Sequence, residues 1–195
     1  MVTPPKGDYA SVPLNAEGRK AADTWDPAKD EASGNQCKAY GAAAIMRVPT
    51  RLHITWENEN TLRVDADAGT QTRLFHFGSP QPSGEPSWQG YSAAQWDVVG
   101  GGRGGRGGPP QGGSLKVVTN RMRAGYLRKN GVPYSENAVV TEHLDRTIEP
   151  DGNSYLIVTT IVEDPKYLQQ PFITSTHFKK QADATGWNPS PCEAK

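Results

Sequence analysis

The chain has 195 residues, of which 35% are hydrophobic, and its 21 basic and 21 acidic residues give no formal net charge. This length suits one large domain and is ample for a sizeable core. A neutral chain has no global field to draw it to nucleic acid, and no apolar run approaches the roughly 18 residues that a membrane helix needs. We therefore expect neither a nucleic-acid partner nor a membrane span.

Residues 1–49 predict irregular, Pro-rich structure with one or two short helices. Asn15 is an N-cap candidate before a run of good helix formers. Asp26 and Pro27 end that helix, because the residue before a proline is pushed out of the α region. The Ala-rich stretch 38–46 adds a further helical turn. We expect this N-terminal segment to pack on the β-structure that follows.

From Thr50 onward the sequence alternates with the period of two that is typical of β-strands. In the first of these strands, Leu52, Ile54 and Trp56 share one face. Short polar or Gly-containing turns divide residues 51–77 into three strands linked by hairpins.

Residues 91–99 and 114–122 predict a further hairpin, whose connection over residues 100–113 is mostly glycine. This stretch has no side chains with which to build a core, so it predicts a mobile loop. It is similar to RGG segments that bind RNA, but two arginines on a neutral chain are thin support for such a partner. An insertion tolerated at a hairpin tip is the better interpretation.

Three more strands are predicted at residues 137–148, 154–163 and 172–179. About eight strands with mostly short connections indicate a mainly β domain over residues 50–180, arranged as an antiparallel up-and-down barrel. A tail follows at residues 181–195. A β-sandwich is the main alternative to the barrel.

The two cysteines, Cys37 and Cys192, lie near opposite ends of the chain. A disulfide between them would close a loop of about 155 residues, and in the chain-entropy model such a bond stabilises the fold by roughly 4–5 kcal/mol. We favour this disulfide because long Pro- and Gly-rich termini gain most from a covalent link. The alternative is two unrelated buried thiols.

Six short signatures follow one another along the chain. They are Cys37 to Gly41, Thr72 to Leu74, Gly90 to Asp97 (G-x-S-x-x-x-W-D), Gly131 to Ser135 (G-x-P-x-S), Glu142 to Arg146 (E-x-x-x-R) and Glu163 to Phe172 (E-D-P-x-x-x-x-x-P-F). In this order they resemble a large family of exported bacterial proteins of uncharacterised function. The resemblance implies a lipocalin-like (calycin-like) β-barrel and a periplasmic or secreted location, and it implies no reaction. The leader would be absent from this chain, since no apolar stretch follows Lys6.

All four histidines fall on predicted strands. By alternation, His53, His143 and His177 lie on the more polar faces of their strands, whereas His76 does not. If these faces point outward, the rings are solvated. If they point inward, the three rings could converge as acid–base groups or metal ligands. Neither an H-x-H nor an H-E-x-x-H spacing is present, so we expect no metal site.

Glu142 lies on the apolar face of its strand, with Val140 and Leu144, four residues before Arg146. About 13 Å of rise separates Glu142 from Arg146, so the two cannot pair directly, whereas Arg73 on another strand could lie between them. A buried carboxylate is costly unless it is paired. Two interpretations follow: an internal ion pair that fixes strand register, or a general base of raised pKa.

Two functions are consistent with these residues, and the sequence leaves open whether the protein is an enzyme. The first is an exported protein that binds an apolar or glycosidic small molecule in the barrel mouth. Its ligand-binding candidates are Trp56, Trp96, Tyr91, Arg146 and His177. The alternative is a hydrolase, lyase or isomerase on the same barrel, which uses a buried glutamate and a histidine for proton transfer. Its catalytic candidates are Glu142, His143, His53 and Arg73.

The sequence contains no phosphate loop and no dinucleotide fingerprint, because the Gly-rich stretch lacks the Lys-Ser/Thr pair and the helix that such sites need. We therefore expect no cofactor. The partner that we expect is a small-molecule ligand, and the oligomeric state is not predicted.

Overall fold

The computed structural model describes residues 3–78, 82, 84–98 and 113–194 of the chain. The predicted mobile loop at 100–113 lies, except for Gly113, outside the described residues. Short helices precede the first strand: α1 Ala16–Asp23, α2 Pro27–Ala32 and two 3₁₀ turns, Gln36–Tyr40 and Ile45–Arg47. Among the described residues, no helix is long and apolar enough to cross a membrane.

Both α-helices begin at a side-chain cap. The side-chain oxygen of Asn15 accepts a hydrogen bond from the backbone N–H of Gly18 at 2.8 Å, and Asp26 accepts one from Ala28 at 3.1 Å. Pro27 lies in the first turn of α2, where its missing N–H costs no helical hydrogen bond. Asp26 and Pro27 therefore start a second helix, beyond the end of α1.

Most of the strands alternate between buried and more exposed side chains over part or all of their length, as period-two patterning predicts. Their bounds are β1 Leu52–Asn58, β2 Thr61–Ala66, β3 Gln71–His76, β4 Tyr91–Val98, β5 Gly113–Asn120, β6 Gly125–Tyr126, β7 Pro133–Tyr134, β8 Val139–Ile148, β9 Ser154–Glu163 and β10 Phe172–Lys179. One sheet holds eight of them in the order β1-β2-β3-β4-β5-β8-β9-β10, and β6 pairs with β7. The predicted mainly β fold is confirmed, as a curled sheet that forms a half-barrel.

The sheet differs from a closed up-and-down barrel in two respects. β3 and β4 pair in parallel, with Phe75 opposite Ser92 and His76 opposite Ala93. The connection over residues 77–90 is long enough to return the chain to the starting end of β3, which a tight hairpin cannot do. Within the described residues, no pairing joins β1 to β10. The sheet therefore keeps two edges instead of closing.

The core lies on the concave side of the sheet, which we call the inner face. Val64, Phe75 and Val117 are buried there. Tyr40 and Ile45 of the N-terminal segment belong to the same buried cluster. The N-terminal segment therefore supplies part of the cover that a closed barrel would take from its own strands.

The C-terminal tail returns to the N-terminal half of the chain. Cys37 and Cys192 form a disulfide bond, so this prediction is confirmed. Ser190 forms a parallel bridge with Ala68 in the turn between β2 and β3, and its N–H donates to the backbone carbonyl of Asp67 at 2.9 Å. The tail is thus held both covalently and by backbone hydrogen bonding.

Candidate functional site

An ion pair between Arg73 of β3 and Glu142 of β8 lies on the inner face. The guanidinium donates from Nη1 to Oε1 at 2.9 Å and from Nη2 to Oε2 at 2.6 Å. The two side chains are 1% and 0% exposed, respectively. The structure thus brings Arg73 and Glu142 together, with both carboxylate oxygens hydrogen-bonded and the pair buried.

Hydroxyl groups extend this ion pair into a network. Nη2 of Arg73 also donates to Oγ1 of Thr119 at 3.2 Å, and Thr119 shares a hydrogen bond of 2.7 Å with Oγ of Ser92. The guanidinium carbon lies 4.9 Å from the centroid of the Phe75 ring. Because these residues come from β3, β4, β5 and β8, the network links four strands across the curl of the sheet.

Arg146, which the sequence places on the same strand face as Glu142, does not join the network. Its side chain is exposed near the end of β8, where Nε donates to Oγ of Ser154 at 3.2 Å. Its register partner on β9 is Leu156. Glu142 therefore pairs with Arg73 and not with Arg146.

The histidines lie on the outer face of the sheet, because each occupies the strand positions that alternate with the buried ones. His143 thus points away from the side that holds Glu142. The ring of His53 packs edge-on against Trp187, with 6.1 Å between centroids, and His177 is exposed on β10. Within the described ranges, no three His, Cys, Asp or Glu residues form a group that could hold a metal ion. His53 and His143 are therefore not brought to Glu142.

Three aromatic side chains, two of them exposed and one half-buried, adjoin where the inner face reaches one end of the sheet. The Phe77 ring lies 5.4 Å from the Trp56 ring and 5.9 Å from the Trp96 ring, measured between centroids. The exposed fractions of Trp56 and Trp96 are 54% and 55%. We call Trp56, Phe77 and Trp96 the aromatic row. It brings together two of the predicted ligand-binding residues, on strands β1 and β4.

Tyr91 lies on the opposite face of β4 from Trp96. Its ring stacks on His76, with 5.1 Å between centroids and 12° between planes, and burial raises the pKa of its hydroxyl. The predicted ligand-binding residues thus divide between two faces. Trp56, Trp96 and Arg146 belong to the inner face, whereas Tyr91 and His177 belong to the outer one.

A cleft that sequence patterns did not indicate lies between the N-terminal segment and β10. Its volume is about 440 Å³, and three basic side chains, Arg47, Arg128 and Lys129, are among its lining residues. Arg47 ends a 3₁₀ turn, and Arg128 lies in the loop between β6 and β7, 81 positions further along the chain. The hydrogen bond from Arg47 to the carbonyl of Leu127 joins these two segments. No local spacing in the sequence indicates that Arg47 and Arg128 line the same cleft, so the period-two pattern could not predict this site.

No family model, curated protein or solved structure matches the chain. The family resemblance suggested by the six signatures stays a prediction.

Proposed function

We propose that this protein binds a glycosidic small molecule, an oligosaccharide, on the aromatic row. One observation carries the proposal: three aromatic rings adjoin on the inner face, and both indoles are more than half exposed. A contiguous exposed apolar patch is unusual on a protein surface and marks a place where something binds.

Sugar rings suit such a row because the C–H face of a pyranose is apolar while its rim carries hydroxyls. A ring can stack on an indole and keep its hydroxyls in water or against polar side chains. The exposed guanidinium of Arg146 supplies donors from the same face. A purely apolar ligand is held best in an enclosed cavity, whereas the aromatic row is open.

The aromatic row is supported by side chains that pack against the core. Leu62 and Phe77, which are half-buried, pack against the core cluster that contains Val64 and Phe75. Rings whose positions are set by packing lose little conformational freedom when a ligand arrives, which favours binding.

An exported location belongs to this proposal. The disulfide between Cys37 and Cys192 supports it, because such bonds persist in oxidising compartments and are rare in the cytosol. The curled, mainly β sheet supports the barrel-like character of the fold that the resemblance implies, and the unpaired edges of the sheet depart from it.

The catalytic alternative has less support from these contacts. The carboxylate of Glu142 is enclosed and held by two hydrogen bonds from Arg73. The rings of His53 and His143 lie on the other face of the sheet. A substrate would have to displace Arg73 before it could reach the proposed base.

The proposal is tested by isothermal titration calorimetry with neutral oligosaccharides, namely maltohexaose, cellohexaose and the hexamer of N-acetylglucosamine. We expect one of them to bind. Trp56→Ala and Trp96→Ala should each weaken that binding by about 1 kcal/mol, or roughly fivefold, because each removes one stacked ring.

Trp187→Ala is the matched control, since it removes an indole from the outer face, beside His53. It should leave the dissociation constant unchanged. Absence of binding to all three sugars, or binding that neither Trp56→Ala nor Trp96→Ala weakens, would contradict the proposal.

A further inference from the structure

We infer that the cleft between the N-terminal segment and β10 is a second binding site, for a small organic acid with a carboxylate head and an apolar body. Its volume of about 440 Å³ lies within the range of roughly 300–1,000 Å³ that is typical of small-molecule sites. Three basic side chains line it, and none of its described lining residues is acidic. The cleft involves none of the residues of the aromatic row, so this inference does not depend on the proposed function.

All three basic side chains donate to neutral oxygens. Arg128 donates to the backbone carbonyl of Ala10 at 2.9 Å and to Oγ of Ser11 at 2.8 Å. Lys129 donates to the hydroxyl of Tyr40 at 3.1 Å. Among the described contacts, neither forms an ion pair with a carboxylate, so each keeps a charge that an anionic ligand can compensate.

Arg47 is the third cation, and its surroundings disfavour an isolated positive charge. Its Nη2 donates to the backbone carbonyls of Ala43 and Leu127, and no described hydrogen bond uses Nε or Nη1. Burial and, after it, the charge of Arg128 lower the pKa of Arg47 to about 10. Asp8 offsets part of the Arg128 charge without forming an ion pair in the described structure. A carboxylate beside Arg47 would compensate the positive charge that burial disfavours, and it would offset the repulsion between Arg47 and Arg128.

The wall of the cleft selects for an apolar body behind the charged head. The Phe172 ring lies beneath both guanidiniums, whose carbons are 5.0 Å (Arg47) and 5.8 Å (Arg128) from its centroid. Val48 and Pro49 add apolar surface. A small inorganic anion would leave this surface uncovered, whereas an alkyl carboxylate would cover it and still reach the guanidiniums.

The experiment is isothermal titration calorimetry of the full chain with three probes at constant ionic strength: octanoate, octan-1-ol and acetate. Octanoate should bind more tightly than both others, because it alone combines the charge with the apolar body. Lys129→Met and Arg128→Met should each weaken octanoate binding about tenfold. They should leave the binding of octan-1-ol unchanged.

Lys180→Met is the control, since it removes an exposed lysine outside the cleft, and it should bind octanoate as the unmodified chain does. Trp96→Ala should do the same. Lys129→Met keeps the test valid if Arg128→Met, which loses its contacts to the N-terminal segment, fails to fold. Equal affinities for octanoate and octan-1-ol, no detectable octanoate binding, or octanoate binding that Lys129→Met leaves intact would each overturn the inference.

Discussion

At the scale of single residues, the Arg73–Glu142 pair is the most demanding feature of the core. Removing two charges from water costs several kcal/mol per ion, and their hydrogen bonds and mutual attraction must offset that cost. The pair also joins β3 to β8, which are not neighbours in the sheet. We therefore expect the pair to fix how far the sheet curls more than to add net stability.

Removal of one partner should be much more harmful than removal of both. Glu142→Ala leaves an unpaired, buried guanidinium and should lower the free energy of unfolding by about 3–5 kcal/mol. The double variant Arg73→Met/Glu142→Leu replaces the pair by apolar side chains and should lose less than either single variant. Urea denaturation, followed by far-UV circular dichroism, measures all of them.

Glu163→Ala, at the exposed end of β9, is the control and should change the unfolding free energy by less than about 0.5 kcal/mol. If Glu142→Ala unfolds at the same urea concentration as the unmodified chain, the ion pair is not a buried structural contact.

The residues of this pair could be predicted because alternation along a strand assigns a face to each side chain. The same rule placed Arg146 on the strand face of Glu142 and did not indicate that Arg146 is exposed, since alternation gives the face of a residue and not its depth. No alternation pattern indicates that Arg47 and Lys129 lie close together, because neither is on a strand. Their meeting depends on how irregular segments pack, which only the folded chain specifies.

At the scale of elements, each strand of the large sheet could be predicted, because each carries its own alternation between turn residues. The neighbours of a strand are harder to infer. The connection over residues 77–90 has no periodic signal, so the sequence did not reveal that β3 and β4 pair in parallel. Alternation also does not predict how deeply a strand is buried. Ile54 and Trp56 of β1 share the inner face, yet they are 39% and 54% exposed, because β1 is an edge strand.

The turn after β2 is held by Asp67, whose carboxylate accepts several hydrogen bonds. Its Oδ1 accepts from the N–H of Arg51 at 2.7 Å and from the hydroxyl of Thr50 at 2.9 Å, and Oδ2 accepts from the N–H of Asn188 at 3.3 Å. Burial acts to raise the pKa of Asp67, but these hydrogen bonds outweigh it and hold the pKa below its ordinary value. Asp67 thus links the start of β1 to the C-terminal tail.

This depressed pKa predicts a pH-dependent contribution to stability. A carboxyl with a folded-state pKa below its unfolded value of about 3.9 stabilises the fold fully above that value and loses the effect as the pH falls through the folded-state pKa. Asp67→Asn should therefore cost about 1–3 kcal/mol at neutral pH and much less in strong acid. Urea denaturation of both proteins at about pH 7 and about pH 2.5 measures the difference.

Asp145→Asn, an exposed position on β8, should show little effect at either pH. A stability difference for Asp67→Asn that is the same at both pH values would mean that the carboxylate charge is not what holds this turn.

At the scale of the whole molecule, the N-terminal segment and the C-terminal tail both attach to the β-domain and to each other. Leu14 of the N-terminal segment forms an antiparallel bridge with Leu168, just before β10, and the tail pairs beside the turn between β2 and β3. The disulfide between Cys37 and Cys192 then joins the N-terminal segment to the tail. The mainly β class and this bridge were predictable from the sequence, whereas the half-barrel was not, because strand count alone does not decide whether a sheet closes.

Loss of the disulfide should destabilise the fold chiefly through the unfolded chain. The bond closes a loop with a sequence separation of 155, so its removal frees a large amount of conformational entropy, equivalent to about 4–5 kcal/mol in the chain-entropy model. Cys37→Ala/Cys192→Ala should lower the unfolding free energy by about 2–5 kcal/mol, measured by urea denaturation, and a reductant should bring the unmodified chain to the same value. The double variant should give the same oligosaccharide affinity as the unmodified chain below its melting temperature, because the aromatic row lies on β1, β4 and the end of β3. If the variant unfolds at the same urea concentration as the unmodified chain, the N-terminal segment and the tail are held by their non-covalent contacts alone.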